Sequence, residues 1–248
     1  MAFIHYRSLG IFLTKEEKGE ADQLFTIFTE NFGRLEILAK GIRKITSKLR
    51  PGVELFSLSE IEFIQGKNYK TLTDAILIEK FKNIKKDFQK LTLLYKIGEI
   101  VSLLANQDEK DEKVWGLLKE TFDKLNNPLF SFSQANLIYF FFFWNLISFL
   151  GYKPELYFCL GCQKRLFPET LWFFPQEGGI FCWSCLKNFS LDKKSKFKEI
   201  EVEVIKILRI FNNKDWKILH RLRIEENDLR GLENFFSSYY SFLKEEFS

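Results

Sequence analysis

Histidine is almost missing from this 248-residue chain: His5 and His220 are the only two. A serine or cysteine triad needs an imidazole beside its nucleophile, so such chemistry has little material to work with. The sequence contains no Walker-A loop, no nucleophile elbow and no His-Glu-x-x-His helix. These absences point away from an enzyme and toward a binding protein. A dominant charge is also missing, since 37 Lys+Arg against 33 Asp+Glu leaves a formal net charge of only +4. That total implies no polyanionic partner by itself, and any such argument must rest on where the charges sit. Long apolar runs are absent as well. The longest, Leu137 to Leu150 (LIYFFFFWNLISFL), covers 14 residues, where a spanning helix needs about 20. Asn145 interrupts it and Ser133, Gln134 and Asn136 precede it, so a buried central helix is expected and no membrane contact. The opening MAFIHYRSLG lacks the pattern of a signal peptide. A cytosolic protein is expected, and in a reducing cytosol four paired cysteines bind metal rather than form disulfides.

What is present is a large apolar fraction, 46%, with 29 phenylalanines, enough to fill real cores. Residues 3 to about 78 read as β structure. Short runs rich in Ile, Phe, Leu and Thr (Ile4–Thr14, Leu24–Thr29, Arg34–Ala39, Val53–Gln65 and Tyr69–Ile76) are separated by turn signals at Lys18-Gly19, Asn31-Phe32-Gly33, Pro51-Gly52 and Gly66-Lys67-Asn68. Five short strands predict a small closed barrel, either a five-stranded OB-fold or an SH3-like barrel. From about Leu77 the apolar period becomes helical, with Leu91, Leu94, Ile97, Val101 and Leu104 on one face. Further helices are expected at Lys113–Leu125, Ser133–Leu150, Ile200–Phe211 and Leu229–Leu243, with Gln107–Lys113 (QDEKDEK) as a solvated loop or helix start. The chain is thus read as a multidomain α+β protein: a barrel over residues 1–78, then a mostly helical domain over 79–248 with a cysteine module inserted at about 155–188.

That module is the strongest local signal. Cys159-Leu-Gly-Cys162 and Cys182-Trp-Ser-Cys185 are separated by 19 residues, a spacing that suits four thiolates on one structural zinc ion. An iron–sulfur cluster also takes four cysteines, and visible colour with bound iron would separate the two. With every ligand position a thiolate, no place is left for water, so the metal is expected to stabilise the fold rather than act as a Lewis acid.

The most one-sided charge lies in Lys40-Gly-Ile-Arg43-Lys44-Ile-Thr-Ser-Lys48-Leu-Arg50, five cations in eleven residues without a carboxylate. A loop between strands can lay such residues along a phosphate backbone, although an ordinary solvated loop is an equally good reading of the residues alone. A second cluster, Lys193, Lys194, Lys196 and Lys198, reads as a solvated connection.

Along nearly the whole chain these features resemble RecO, the bacterial recombination mediator family. The resemblance rests on Tyr6-Arg7-Ser8-Leu9-Gly10, Glu20-Ala21-Asp22, Ala39-Lys40-Gly41-x-Arg43-Lys44, Leu55-Phe56, Gly151-Tyr152-x-Pro154-x-Leu156, and Gly178-Gly179 before the second cysteine pair. It implies an N-terminal OB-fold and a helical domain carrying the zinc module. It further implies binding of single- and double-stranded DNA, annealing of complementary strands, and partnership with RecR and with the acidic tail of single-stranded DNA-binding protein (SSB) in helping RecA load. The expected place of work is the cytoplasm, at the nucleoid. Under this reading Lys40, Arg43, Lys44, Lys48 and Arg50 bind nucleic acid, and Cys159, Cys162, Cys182 and Cys185 bind metal. A rival reading is an OB-fold and zinc protein that binds RNA or the ribosome.

Overall fold

Alternating apolar and polar residues over the first eighty positions produce five strands, because each needs one dry and one wet face. They are β1 (His5–Lys18), β2 (Asp22–Thr29), β3 (Gly33–Ala39), β4 (Leu58–Ile64) and β5 (Lys70–Glu79). In this computed structural model, which describes residues 4–222 and 224–247, the strands close in the order β1-β2-β3-β5-β4. β1 is long because it serves two neighbours. His5 to Ile11 pair with β4 and Gly10 to Lys18 pair with β2, both antiparallel. A register shift between Phe12 and Thr14 bends the strand where it changes partners. Closure comes from two parallel pairs between β3 and β5, Ile37 with Lys70 and Leu38 with Thr71. This is the five-stranded OB-fold topology, and it removes the SH3-like alternative. Phe12, Phe25, Ile27, Leu35, Ile37, Ile61 and Phe63 fill the interior.

The expected fourth strand starts late, at Leu58 rather than Val53. Pro51 has no N–H to offer a ladder, and residues 50–52 form a 3-10 turn instead. Gly52 lies so close to β5 that a Cβ there would stand 1.9 Å from the Ala75 carbonyl oxygen.

Three helices complete the first compact unit, residues 1–135: α1 (Lys82–Lys85), α2 (Phe88–Leu104) and α3 (Glu112–Leu125). The side chains of Asp87 and Asp111 cap α2 and α3 by accepting two backbone N–H bonds each. Gly98 of α2 packs on the bulge of β1, where a Cβ would come within 2.8 Å of the Leu13 carbonyl oxygen. The QDEKDEK segment is bound to the barrel more firmly than a solvated loop. Asp108 N–H donates to the Arg34 carbonyl, the Arg34 guanidinium donates to the Ala105 carbonyl, and Lys70 pairs with Asp108 at 2.6 Å. These contacts attach the first helices to the barrel, and α1 to α3 cluster with it in one compact unit.

The second unit, residues 136–248, is built on the aromatic helix α4 (Phe132–Phe149). It is buried as expected, and no helix among the described residues is long and apolar enough to cross a membrane. A three-stranded sheet follows, formed by β6 (Leu171–Phe174), β7 (Gly179–Cys182) and, after the short helices α5 (Trp183–Leu186) and α6 (Leu191–Lys194), β8 (Lys198–Ile200) in the order β7-β6-β8. Helices α7 (Val202–Phe211) and α8 (Glu226–Phe247) close the unit. Phe140 stacks on Phe236 at 5.0 Å, Phe141 meets Phe211 at 5.4 Å, and the Trp144 indole donates to the Asn212 side chain at 3.0 Å. The sheet was not expected from the sequence. Strands of three or four residues are too short to display a period, and this sheet holds because Phe173 packs on Phe235 and Tyr239 of α8.

Candidate metal centre and nucleic-acid interface

The basic stretch occupies the connection between β3 and β4, and both its ends are fastened. At its start the Asp22 carboxylate accepts the Gly41 N–H at 2.7 Å and the Ala21 carbonyl accepts the Arg43 N–H at 3.1 Å. Gly41 adopts φ +65°, a left-handed conformation that glycine takes without strain. Ile42 then inserts into the barrel core. At the other end Leu49 packs against the same core and the buried Ser59 hydroxyl donates to the Gly52 carbonyl at 2.8 Å. Ile42 and Leu49 thus act as two anchors, and the residues between them are lifted outward. Lys40, Arg43, Lys44, Lys48 and Arg50 are all exposed. Ile45 stands among them 91% exposed.

The loop is less free of acids than its sequence. Glu17 of β1 reaches Arg43 at 3.3 Å, an exposed pair of the kind worth under about 1 kcal/mol. It is a neighbour 26 residues away, so no local count of charges would find it. The second lysine cluster falls on α6, β8 and the turn between them, where Lys193, Lys196 and Lys198 are exposed around the buried Phe197.

The four cysteines converge in the second unit. Cys159 and Cys162 sit on a tight turn in which Cys159 accepts the Gln163 N–H at 2.8 Å through its carbonyl and donates its own N–H to Lys164 at 2.9 Å. Gln163 takes φ +59° to make that turn. Cys182 ends β7 and Cys185 lies one turn into α5. Gly161 allows the two pairs to meet: a Cβ there would lie 2.9 Å from the Cys185 sulfur.

All four sulfurs lie within 4.8 Å of one another. The Cys159–Cys182 and Cys162–Cys182 separations are 3.7 and 4.0 Å, far from a disulfide bond of about 2.05 Å. A tetrahedral ion with metal–sulfur bonds of about 2.3 Å has edges of about 3.8 Å, so the sulfurs already stand near such corners. Their acidity fits as well. Burial pushes the Cys159 thiol up, but backbone N–H groups of Cys182, Cys162 and Gly161 outweigh it and bring the group down to about 7. Burial pushes Cys182 and Cys185 up, and a thiolate at Cys159 raises both further. A dication among the sulfurs would favour the thiolate forms that burial and mutual repulsion oppose at Cys182 and Cys185. The set is compatible with a structural metal.

Comparison with known proteins places the chain within one family along most of its length. Residues 1–81 match the family model "Recombination protein O N terminal" and residues 85–245 match "Recombination protein O C terminal". A "DNA repair protein RecO" of Dehalococcoides mccartyi is 30% identical over 228 residues, covering 92% of this chain and 86% of the relative. One of Thermoanaerobacter sp. is 31% identical over 211 residues, 83% of this chain and 79% of its own length. One of Roseiflexus sp. is 27% identical over 234 residues, 94% and 79% respectively.

Proposed function

The chain belongs to the recombination protein O family of DNA repair proteins, and on that footing we propose that it is a non-enzymatic mediator that binds single- and double-stranded DNA and anneals complementary strands. The observation that carries this reading is the fastened loop from Lys40 to Arg50. Five exposed cations project from a segment anchored by Ile42 in the barrel core and by Leu49 packed against it, so the backbone that carries the charges is ordered before a ligand arrives.

The mechanism is electrostatic. Each bound phosphate releases condensed counterions, and cations shared by two strands lower the repulsion that keeps them apart. Base pairing then selects the partner strand, while the protein contributes position and charge. The exposed Glu17–Arg43 pair yields to phosphate at little cost because both groups are already solvated.

The ion in the second unit is zinc in this reading, bound by Cys159, Cys162, Cys182 and Cys185. Four thiolates suit a soft dication and leave no open ligand position, so the ion holds the knuckles together and takes no part in pairing. Work in the cytoplasm at the nucleoid with RecR, with the SSB tail and on behalf of RecA comes from family membership.

The deciding experiment is annealing of complementary strands coated with SSB, with and without RecR. Acceleration by this chain above the spontaneous rate is expected. No acceleration, together with preferential binding of structured RNA, would overturn the reading in favour of an RNA-binding role.

A further inference from the structure

Behind the basic loop the first unit carries a cleft of about 330 Å3, lined on one side by Lys15, Phe25 and Phe56 of the barrel and on the other by Lys85, Leu91 and Tyr95. Several costly features maintain it. Phe56 is held at φ +57°, a conformation unusual for a bulky residue, by donating its N–H to the Phe12 carbonyl at 2.8 Å beside the β1 bulge. The Tyr95 ring stands perpendicular to Phe56 at 4.8 Å yet is 50% exposed, so it remains available to a ligand. In the wall the buried Lys85 ammonium pairs with the Glu54 carboxylate at 3.0 Å, and Lys15 is exposed at the rim. Two lysines and one carboxylate line the cleft, and burial pushes the Lys85 ammonium below its usual range, so a further anion beside Lys15 would be favoured.

From this geometry we infer that the cleft takes one unpaired nucleotide of single-stranded DNA, its base stacked on Tyr95 and its phosphate beside Lys15. The inference rests on the DNA-binding reading and adds strand discrimination to it. Continuity with the basic loop favours a nucleic acid as occupant. Arg50 ends the cation series and Val53 already lines the cleft, so their backbones stand at most about 11 Å apart. The volume lies at the lower end of ligand pockets, about 300–1,000 Å3, room enough for one nucleotide. A duplex base would have to leave its stack to enter.

The test compares Tyr95→Ala, Tyr95→Phe and Lys15→Ala with the parent chain, using a labelled oligothymidine and a blunt duplex at several salt concentrations. Tyr95→Ala is expected to weaken oligothymidine binding roughly tenfold, as loss of one stacked base implies, with duplex affinity and salt slope unchanged. Tyr95→Phe should bind like the parent. Lys15→Ala should lower the single-strand salt slope by about 0.7. Unchanged oligothymidine binding by Tyr95→Ala, or equal losses on both ligands, would each overturn the inference. A parent chain that binds neither DNA would overturn it together with the proposed function.

Discussion

The Asp22 carboxylate accepts the backbone N–H of Gly41 at 2.7 Å and so fixes the start of the basic loop to the first residue of β2. A hydrogen bond to a charged group contributes roughly 1.5–3 kcal/mol, and here it orders residues whose side chains are otherwise solvated. Asp22→Ala should lower the melting temperature modestly and weaken DNA binding severalfold, since the loop must then be ordered on contact. Asp22→Asn retains an acceptor oxygen and should lie closer to the parent. Thermal melts and oligonucleotide titrations on the three proteins would check this.

Replacing Lys40, Arg43 and Lys44 together by Ala removes three exposed cations without touching the anchor Ile42. The slope of log affinity against log salt should fall by about 2 for single strands, three times roughly 0.7. Weakening should be nearly uniform across sequences, because phosphate contacts carry no base information. An unchanged slope would remove these residues from the interface.

Metal analysis of the purified chain should give one zinc per molecule. Cys159→Ser should lose it and aggregate or melt early, because removing one ligand leaves the other thiols crowded without a cation. Gly161→Ala should do the same in milder form, as its Cβ would press on the Cys185 sulfur at 2.9 Å. A soluble, stable and zinc-free Cys159→Ser chain that had lost only DNA binding would show that the module serves the interface directly.

Acid should loosen the barrel in a defined window. Glu62 accepts hydrogen bonds from His5, Arg7 and Thr73, which together bring its carboxyl down to about 2. In the unfolded chain the group titrates near 4.3, so on acidification the unfolded state takes up the proton first. The stabilisation is therefore complete above about pH 4.3 and is lost as pH falls toward 2. Urea midpoints of Glu62→Gln should lie below the parent at neutral pH and converge with it near pH 2.

Gly33→Ala tests the attachment of the QDEKDEK segment to the barrel. Gly33 holds φ +65°, and a Cβ would fall 1.7 Å from the Glu109 carbonyl oxygen. The added methyl must expel the segment, so a loss of several kcal/mol is expected by chemical denaturation, beyond the roughly 1 kcal/mol of left-handed strain alone. A near-neutral result would mean that the segment moves aside freely.

Much of this protein was legible because its signals are local. Turn chemistry at Asn31-Phe-Gly33 and Gly66-Lys-Asn68 marks hairpins, the step to a helical period places α2 to α4, and the spacing of Cys159, Cys162, Cys182 and Cys185 requires that two turns face one centre. Such features depend on a few consecutive residues whose own conformational preferences suffice. Tertiary structure decided whatever depends on neighbours distant in the chain. Closure through Ile37–Lys70 and Leu38–Thr71 selected the OB-fold, and Phe173 packing on α8 gave β6 a reason to exist. Glu17 arrived beside Arg43 in a stretch that looked free of acids. The cations of the loop were written in the sequence. Their outward display was not, because it depends on Ile42 and Leu49 finding a core built by other strands.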